Sequence, residues 1–207
     1  MRKILFRAAT CCSLLLALSA CKQKELEKLD DSAAALREVF AAETAQVAGA
    51  KKQVVLIVPA TTQGPSASLG DDFKSAMQKK GLSVVELIPV QLGDPMKFNN
   101  FGLKASDFID VLRQHPEVGA IVSLVGVPLL HAGDLANLPA TRPPVLIVAT
   151  RQIGLAPGVP ASGTVLEQLL RAKIIQAAVV DGSGSSGKTD TAHKEFDQQF
   201  QILRPNP

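Results

Sequence analysis

The eight residues from Gly182 to Thr189 match a chemical motif more closely than any other stretch of the chain. Their order, GSGSSGKT, fits the pattern GxxxxGK[ST], in which backbone N–H groups and a lysine hold phosphate. Against a nucleotide site, Phe196 and Phe200 are the only large apolar residues that follow closely, which predicts a poor core helix. Little chain remains to supply a magnesium-binding Asp, and the compartment implied by the leader holds essentially no ATP. We therefore predict a flexible Gly/Ser loop at 182–190 without ATP binding.

Other catalytic patterns are weak. His115, His131 and His193 lie in three separate segments, without a metal-ligand spacing such as HxxxH. No GxSxG elbow is present. Asp71 and Asp72 are adjacent, so they point apart on a helix and are better explained as stabilising its first turn. The sequence predicts a protein that binds rather than catalyses, with no metal and no cofactor.

Cys21 offers a different chemistry. A basic start is followed by a charge-free apolar run from Ala8 to Leu18, which is shorter than the roughly 20 residues that span a bilayer. An ordinary cleavage site after Ala20 or an uncleaved anchor would also fit this leader. Leu18-Ser19-Ala20-Cys21 resembles the lipobox of bacterial lipoproteins. The resemblance implies that residues 1–20 are removed and that Cys21 carries diacylglycerol and an acyl chain such as palmitate, which anchors the protein without spanning the membrane.

Processing at this box changes what the composition means. The chain has 22 Lys and Arg against 19 Asp and Glu, and the leader holds three basic and no acidic residues, so 22 − 3 leaves 19 against 19. The mature chain therefore gives no charge argument for a nucleic-acid partner. Cys11 and Cys12 leave with the leader. Lys22 then occupies the second mature position, and by resemblance to lipoprotein sorting a residue other than Asp implies the periplasmic face of the outer membrane.

The segment 21–51 is predicted to be a helical tether. It contains an apolar stripe at steps of three and four, interrupted by Glu43, and Gly49 is a plausible stop. The stripe consists of Leu26, Leu29, Ala33, Leu36, Phe40 and Val47. Two interpretations remain open: a coiled coil that makes a homodimer through residues 23–48, or a helix laid against its own domain, which we favour slightly.

Residues 52–207 are predicted to form a single α/β domain, because short apolar runs alternate with amphipathic helices. The predicted strands are Val54–Val58, Ser83–Val90, Val118–Val125, Val145–Ala149 and Ala177–Val180, with an edge strand within Phe196–Leu203. The predicted helices are Ser68–Lys80, Leu103–Gln114, Leu130–Asn137 and one that follows a capping box at Thr164 and Glu167. Right-handed crossovers predict a doubly wound, flavodoxin-like, five-stranded parallel sheet in the order 2-1-3-4-5.

Parts of this pattern resemble one lobe of the type I periplasmic binding proteins. The resemblance is carried by VVLIVPATT at the first strand, KKGLSVVEL after the first helix of the domain, and RPPVLIVAT at the fourth strand. It implies an extracytoplasmic module that binds a small solute or a protein partner. Those receptors close two lobes on a ligand, whereas the resemblance here covers one.

Ligands of doubly wound sheets bind at the carboxyl ends of the strands. The polar and small residues predicted there are Thr61, Thr62, Gln63, Ser66, Gly126, Thr150, Arg151 and Gln152. Arg151 is the cation of this set and is suited to a carboxylate or phosphate. The alternatives are that these are ordinary solvated loop ends, and that the protein is a structural envelope lipoprotein whose helix dimerises or docks on a partner.

Overall fold

The computed structural model describes residues 30–60, 67–93, 102–150, 164–182, 188 and 190–205. The leader, Cys21 and the first part of the predicted tether, with Leu26 and Leu29, lie outside these residues. Within the described residues, no helix combines the length and the apolar run that a membrane span requires.

One six-stranded sheet organises the domain. Its strands are β1 Gln53–Pro59, β2 Ser83–Val90, β3 Ala120–Ser123, β4 Val145–Ala149, β5 Ala177–Asp181 and β6 Phe200–Leu203. They lie in the order β2-β1-β3-β4-β5-β6, in which the first five are parallel and β6 is antiparallel to β5. The predicted doubly wound order is confirmed, with one antiparallel edge strand added.

Helices cover both faces of this sheet. They are α1 at 30–48, α2 Leu69–Lys79, α3 Ala105–Gln114, α4 Ala132–Leu135, α5 Thr164–Arg171 and α6 Thr191–Gln199. Alternate strand residues face opposite layers of helices. Leu56 and Val122 pack on the face covered by α1, α2 and α6, and their neighbours Ile57 and Ile121 pack on the face covered by α3 and α5. This alternation follows from the period of two in a strand and makes a three-layer domain.

Helix α1 belongs to the core of the domain. Leu36, Val39 and Phe40 are buried in the cluster that covers β1, and the ring of Phe40 meets that of Phe73 of α2 edge-on, with centroids 6.1 Å apart. Within 30–48 the apolar seam therefore faces the helix's own domain, as in the interpretation we favoured. Of the seam that the alternative homodimer would use, the part within 30–48 is filled from within the chain.

Helix α6 corrects the sequence analysis at the C-terminal end. The residues after the Gly/Ser segment form a helix, although their few apolar groups predicted a poor one, and the predicted edge strand Phe196–Leu203 begins only at Phe200. Asp190 caps the helix by accepting the N–H of His193 at 3.0 Å. The rings of Phe196 and Phe200, whose centroids are 5.4 Å apart, are both buried and hold the end of the helix against the sheet. A good N-cap and two buried aromatic rings are therefore enough to stabilise this helix.

The predicted bounds of α5, β3 and α4 also differ from those in the structure. Thr164 is the first residue of α5 rather than the cap before it. The predicted strand Val118–Val125 is confined to β3, and the predicted helix Leu130–Asn137 is confined to the single turn of α4.

Candidate functional site

The carboxyl edge of the sheet is where the predicted site lies. Strands β1, β3, β4 and β5 end there, helices α2 and α5 begin from that side, and α6 ends there where it joins β6. The chain leaves β1 towards β2 but leaves β3 towards β4, so the two connections diverge between neighbouring strands. Such a divergence opens the crevice in which doubly wound proteins bind ligands.

Thr150, directly after β4, is the most informative residue of this edge. Its side chain is buried, with 1% of the residue exposed, and its hydroxyl has no hydrogen-bond partner among the described residues. The buried hydroxyl of Thr44, in contrast, donates to the carbonyl of Phe40 at 2.8 Å. An unsatisfied buried hydroxyl costs about 1–3 kcal/mol. Thr150 is therefore a buried polar group without a partner among the described residues, at a position predicted for the site.

Gly126 lies at the end of the neighbouring strand and forms a fixed turn. It adopts a φ of +86°, and its carbonyl accepts the buried hydroxyl of Ser123 at 2.8 Å. The N–H of Leu124 donates to the carbonyl of Ile57 at 2.9 Å, which ties this turn to β1. The turn therefore lies at the end of β3, the strand next to β4 and Thr150. Ser123 was missed by the sequence analysis, and its signal is a lone hydroxyl that ends the apolar run AIVS.

The remaining predicted site residues lie outside the described residues. These are Thr61, Thr62, Gln63, Ser66, Arg151 and Gln152, together with the lipidation residue Cys21. The structure thus brings Gly126 and Thr150 to one edge of adjacent strands and leaves the other positions as predictions.

The phosphate-motif match begins at Gly182 at the same edge. A Cβ on Gly182 would lie 2.8 Å from Nε2 of Gln201, and its N–H donates to the carbonyl of Gln199 at 2.9 Å. Close packing against the edge strand therefore explains the first glycine of the match. Residues 183–187 and Thr189 lie outside the described part of the chain.

The start of α6 is occupied by a carboxylate. Asp190 accepts from the backbone of His193, and its carboxylate lies 2.7 Å from Nδ1 of the His193 ring. The hydrogen bond from the His193 side chain, followed by that from its backbone, lowers the pKa of Asp190. A phosphate bound by such a motif would need this helix end, where a negative carboxylate already repels it.

The other two histidines have separate surroundings. Nε2 of His115 lies 3.4 Å from a carboxylate oxygen of Glu86 on β2. His131 precedes α4, and its N–H donates to the carboxylate of Asp134 at 2.8 Å. Among the described residues, no group of three His, Cys, Asp or Glu side chains is arranged to hold a metal ion.

Comparison with known proteins gives similarities to solved structures alone. No family model matches the chain, and no curated protein matches it. A glucose-galactose binding protein from Geobacillus stearothermophilus aligns at 13% identity and a TM-score of 0.46, over 85% of this chain and 60% of that one. An arabinose binding protein from the same organism aligns at 15% identity and a TM-score of 0.45, over 72% and 45% of the two chains.

A third similar structure is a periplasmic ribose ABC transporter from Conexibacter woesei. It aligns at 14% identity and a TM-score of 0.44, over 79% of this chain and 47% of that one. The chain thus spans about half the length of the structures it resembles. These alignments are too remote to indicate a ligand, and the proposals below rest on this chain's own residues.

Proposed function

We propose that this protein is a non-enzymatic module that binds a small polar solute at the carboxyl edge of its sheet. One observation carries the proposal: Thr150 presents a buried hydroxyl without a partner among the described residues, at the ligand-binding edge of a doubly wound sheet. Buried polar groups in native proteins are almost always satisfied, and an exception beside a crevice is explained by a ligand that supplies the missing hydrogen bond.

The chemistry of this edge favours a solute with hydroxyl or anionic oxygen atoms. A threonine hydroxyl both donates and accepts, and Arg151, the next residue in sequence, would add a cation suited to a carboxylate or phosphate. The chain contains no Trp or Tyr to stack on a sugar ring. Recognition would therefore depend on hydrogen bonds and charge.

We further propose that a lipid on Cys21 holds this module at a membrane, on the periplasmic side and, given Lys22, at the outer membrane. Within the described residues, helix α1 begins at Asp30 and leads to the start of β1. Eight residues lie between Cys21 and Asp30, and the nine steps from one to the other would span about 30 Å if fully extended. The module would then remain close to the bilayer surface.

A ligand screen tests the binding proposal. The full chain is heated with representative sugars, carboxylates and phosphates, and at least one class should raise its Tm in a saturable manner. Thr150→Val should weaken this binding about tenfold or more, and Arg151→Ala should weaken it further if the ligand is anionic. Thr44→Val removes a buried hydroxyl far from the edge and should leave the affinity unchanged. An unchanged affinity in Thr150→Val would contradict the site, and the absence of any Tm shift would favour the structural lipoprotein.

Fractionation tests the anchor independently. The wild-type chain should be recovered with outer membranes, and the mass of its N-terminal peptide should show a lipid on Cys21. Cys21→Ser should release the protein from the membrane without changing its solute affinity. Membrane recovery of Cys21→Ser, or recovery of the wild type with inner membranes, would contradict the anchor or its sorting.

A further inference from the structure

The amino edge of the sheet, opposite the proposed solute site, carries a row of cations. The connections 49–52, 80–82, 115–119, 136–144 and 172–176 lead into β1 to β5 at this edge, and all five are described. Four of them contribute basic residues, namely Lys51 and Lys52 before β1, Lys80 before β2, Arg142 before β4 and Lys173 before β5. Glu117 is the one carboxylate in these five connections and pairs with Lys51 at 3.7 Å, and Lys80 pairs with Glu38 of α1 at 3.0 Å.

Two of these lysines have an unfavourable backbone conformation. Lys52 and Lys173 have φ values of +52° and +53°, and they are the non-glycine residues with positive φ in the described part of the chain. A Cβ disfavours this left-handed region. Both residues are exposed, so core packing does not fix their identity. Strained backbone of this kind concentrates at functional positions.

The turns that end α2 and α5 have the same hydrogen bonds but a different residue at the left-handed position. After α2, the N–H of Gly81 donates to Gln78 and that of Leu82 to Met77, with a φ of +78° at Gly81. After α5, the same two bonds run from Lys173 to Leu170 and from Ile174 to Leu169. Glycine fits this position without strain, yet lysine occupies it after α5. Attraction to the helix dipole favours a cation at Lys173 but does not extend to Lys52, four residues beyond α1.

The geometry of the row is linear. Neighbouring strands are about 4.8 Å apart, so the connections from β2 to β5 extend over about 19 Å. Lys52 and Lys173 stand three strands apart in this row and pair with no carboxylate among the described residues. Their charges are therefore available to a ligand that lies along the edge.

The surroundings of the row exclude several classes of partner. The five connections contain no Phe, Tyr, Trp or Met, whereas single-stranded nucleic acid needs stacking platforms and protein interfaces need large apolar anchors. A bilayer surface is planar, so a protein that binds it needs a broad basic face, whereas the cations here form a line.

We propose that the amino edge, defined by Lys51, Lys52, Lys80, Arg142 and Lys173, binds a linear acidic polysaccharide. Repeated carboxylates on a flexible chain would lie along the row and be held by lysine ammonium groups, which act as point charges without a fixed orientation. This binding uses the edge remote from Thr150 and does not depend on the solute site.

Binding to polygalacturonate, a linear carboxylate polymer, tests the proposal. The full chain should bind the polymer at low salt, leave it at about 1 M salt, and ignore neutral dextran. Lys52→Gly with Lys173→Gly should raise the Kd about fivefold, since two exposed charge contacts are lost. The Tm of this variant should equal or exceed that of the wild type, because glycine relieves both left-handed positions.

The matched control removes two cations that lie outside the amino-edge connections. Lys104→Gln with Lys194→Gln makes the same change in net charge at two exposed residues and should leave the Kd unchanged. Lys52→Gln with Lys173→Gln repeats the charge loss without adding glycine and should match the glycine variant. Equal loss in the control, no loss in the glutamine variant, or tighter binding to phosphatidylglycerol vesicles or duplex DNA than to the polymer would overturn the proposal.

Discussion

At the scale of single residues, Thr44 and Thr150 show how the same side chain serves two purposes. Both are buried. Thr44 satisfies its hydroxyl within its own helix, at the carbonyl of Phe40. Thr150 carries a hydroxyl without a partner among the described residues, which costs stability unless a group outside these residues uses it. The same feature that should weaken the free protein is thus the one on which the proposed site rests.

The two threonines should respond differently to the same substitution. Thr150→Val removes an unsatisfied hydroxyl and should leave the free energy of unfolding unchanged or raise it by up to about 1 kcal/mol. Thr44→Val removes a satisfied hydrogen bond and should lower the free energy of unfolding by about 1 kcal/mol. Urea denaturation of the ligand-free protein measures both. A clear loss of stability in Thr150→Val would show that its hydroxyl already has a partner in the free protein.

Glu43 shows what a local pattern cannot reveal. In the sequence Glu43 interrupts the apolar stripe, yet its side chain is buried and accepts two hydrogen bonds from Arg204, at 2.8 Å and 2.6 Å. Its partner is 161 positions away, and no periodicity connects the two residues. A carboxylate inside an apolar stripe does imply a cationic partner, because burying an unpaired carboxylate would cost too much free energy. The stripe does not identify which cation that is.

At the scale of elements, the sheet was predictable because each of its strands is a local signal. β2 and β4 lie at the predicted bounds, and alternate residues along the strands face opposite layers. The bulge in β2 was not predictable. Val54 pairs with Val84 and Val55 with Glu86, so Val85 is left over and stands exposed on the edge strand. Register between strands depends on contacts between distant segments, which the run SVVELIPV does not contain.

Helix α6 depends on its cap, and the cap should depend on pH. The pKa of Asp190 is lowered mainly by the hydrogen bond from the His193 side chain, so folding favours its ionised form. The stability that this carboxylate contributes is fully present above its ordinary pKa of 3.8 and is lost as the pH falls through the lowered value. The Tm difference between wild type and Asp190→Ala should therefore be constant near neutral pH and shrink in acid.

Titration of the Asp190 carboxyl by NMR gives a direct check of this cap. His193→Gln should raise the pKa of Asp190 while keeping the backbone bond, and Lys194→Gln, at an exposed neighbour, should leave it unchanged. No rise in His193→Gln would mean that the imidazole does not hold the carboxylate.

At the scale of the whole molecule, the parallel fold separates acidic helix starts from the lysine row. The parallel strands end at the carboxyl edge, where Asp71 of α2 and Asp107 of α3 lie in the first turns of their helices. Helices α2, α3 and α5 end at the amino edge, where the lysine row lies. The proposed solute site and these acidic helix starts would share one edge, which leaves the amino edge free to meet a second ligand.

The ends of the described chain are joined through the buried carboxylate of α1. Arg204 follows the edge strand β6, and its bidentate bond to Glu43 fastens that strand to the first helix. The same bond raises the pKa of Arg204. Because Arg204 is half exposed while Glu43 is buried, loss of the arginine leaves a carboxylate that water cannot fully reach.

Arg204→Ala should therefore lower the free energy of unfolding by about 2 kcal/mol, measured by urea denaturation. Adding Glu43→Leu should recover most of this loss, because leucine continues the apolar seam of α1 and no buried charge remains. Arg171→Ala breaks an exposed pair with Glu167 on α5 and should cost no more than about 0.5 kcal/mol. If Arg204→Ala cost no more than Arg171→Ala, the two ends of the chain would be held together by the aromatic packing of Phe196 and Phe200 rather than by this ion pair.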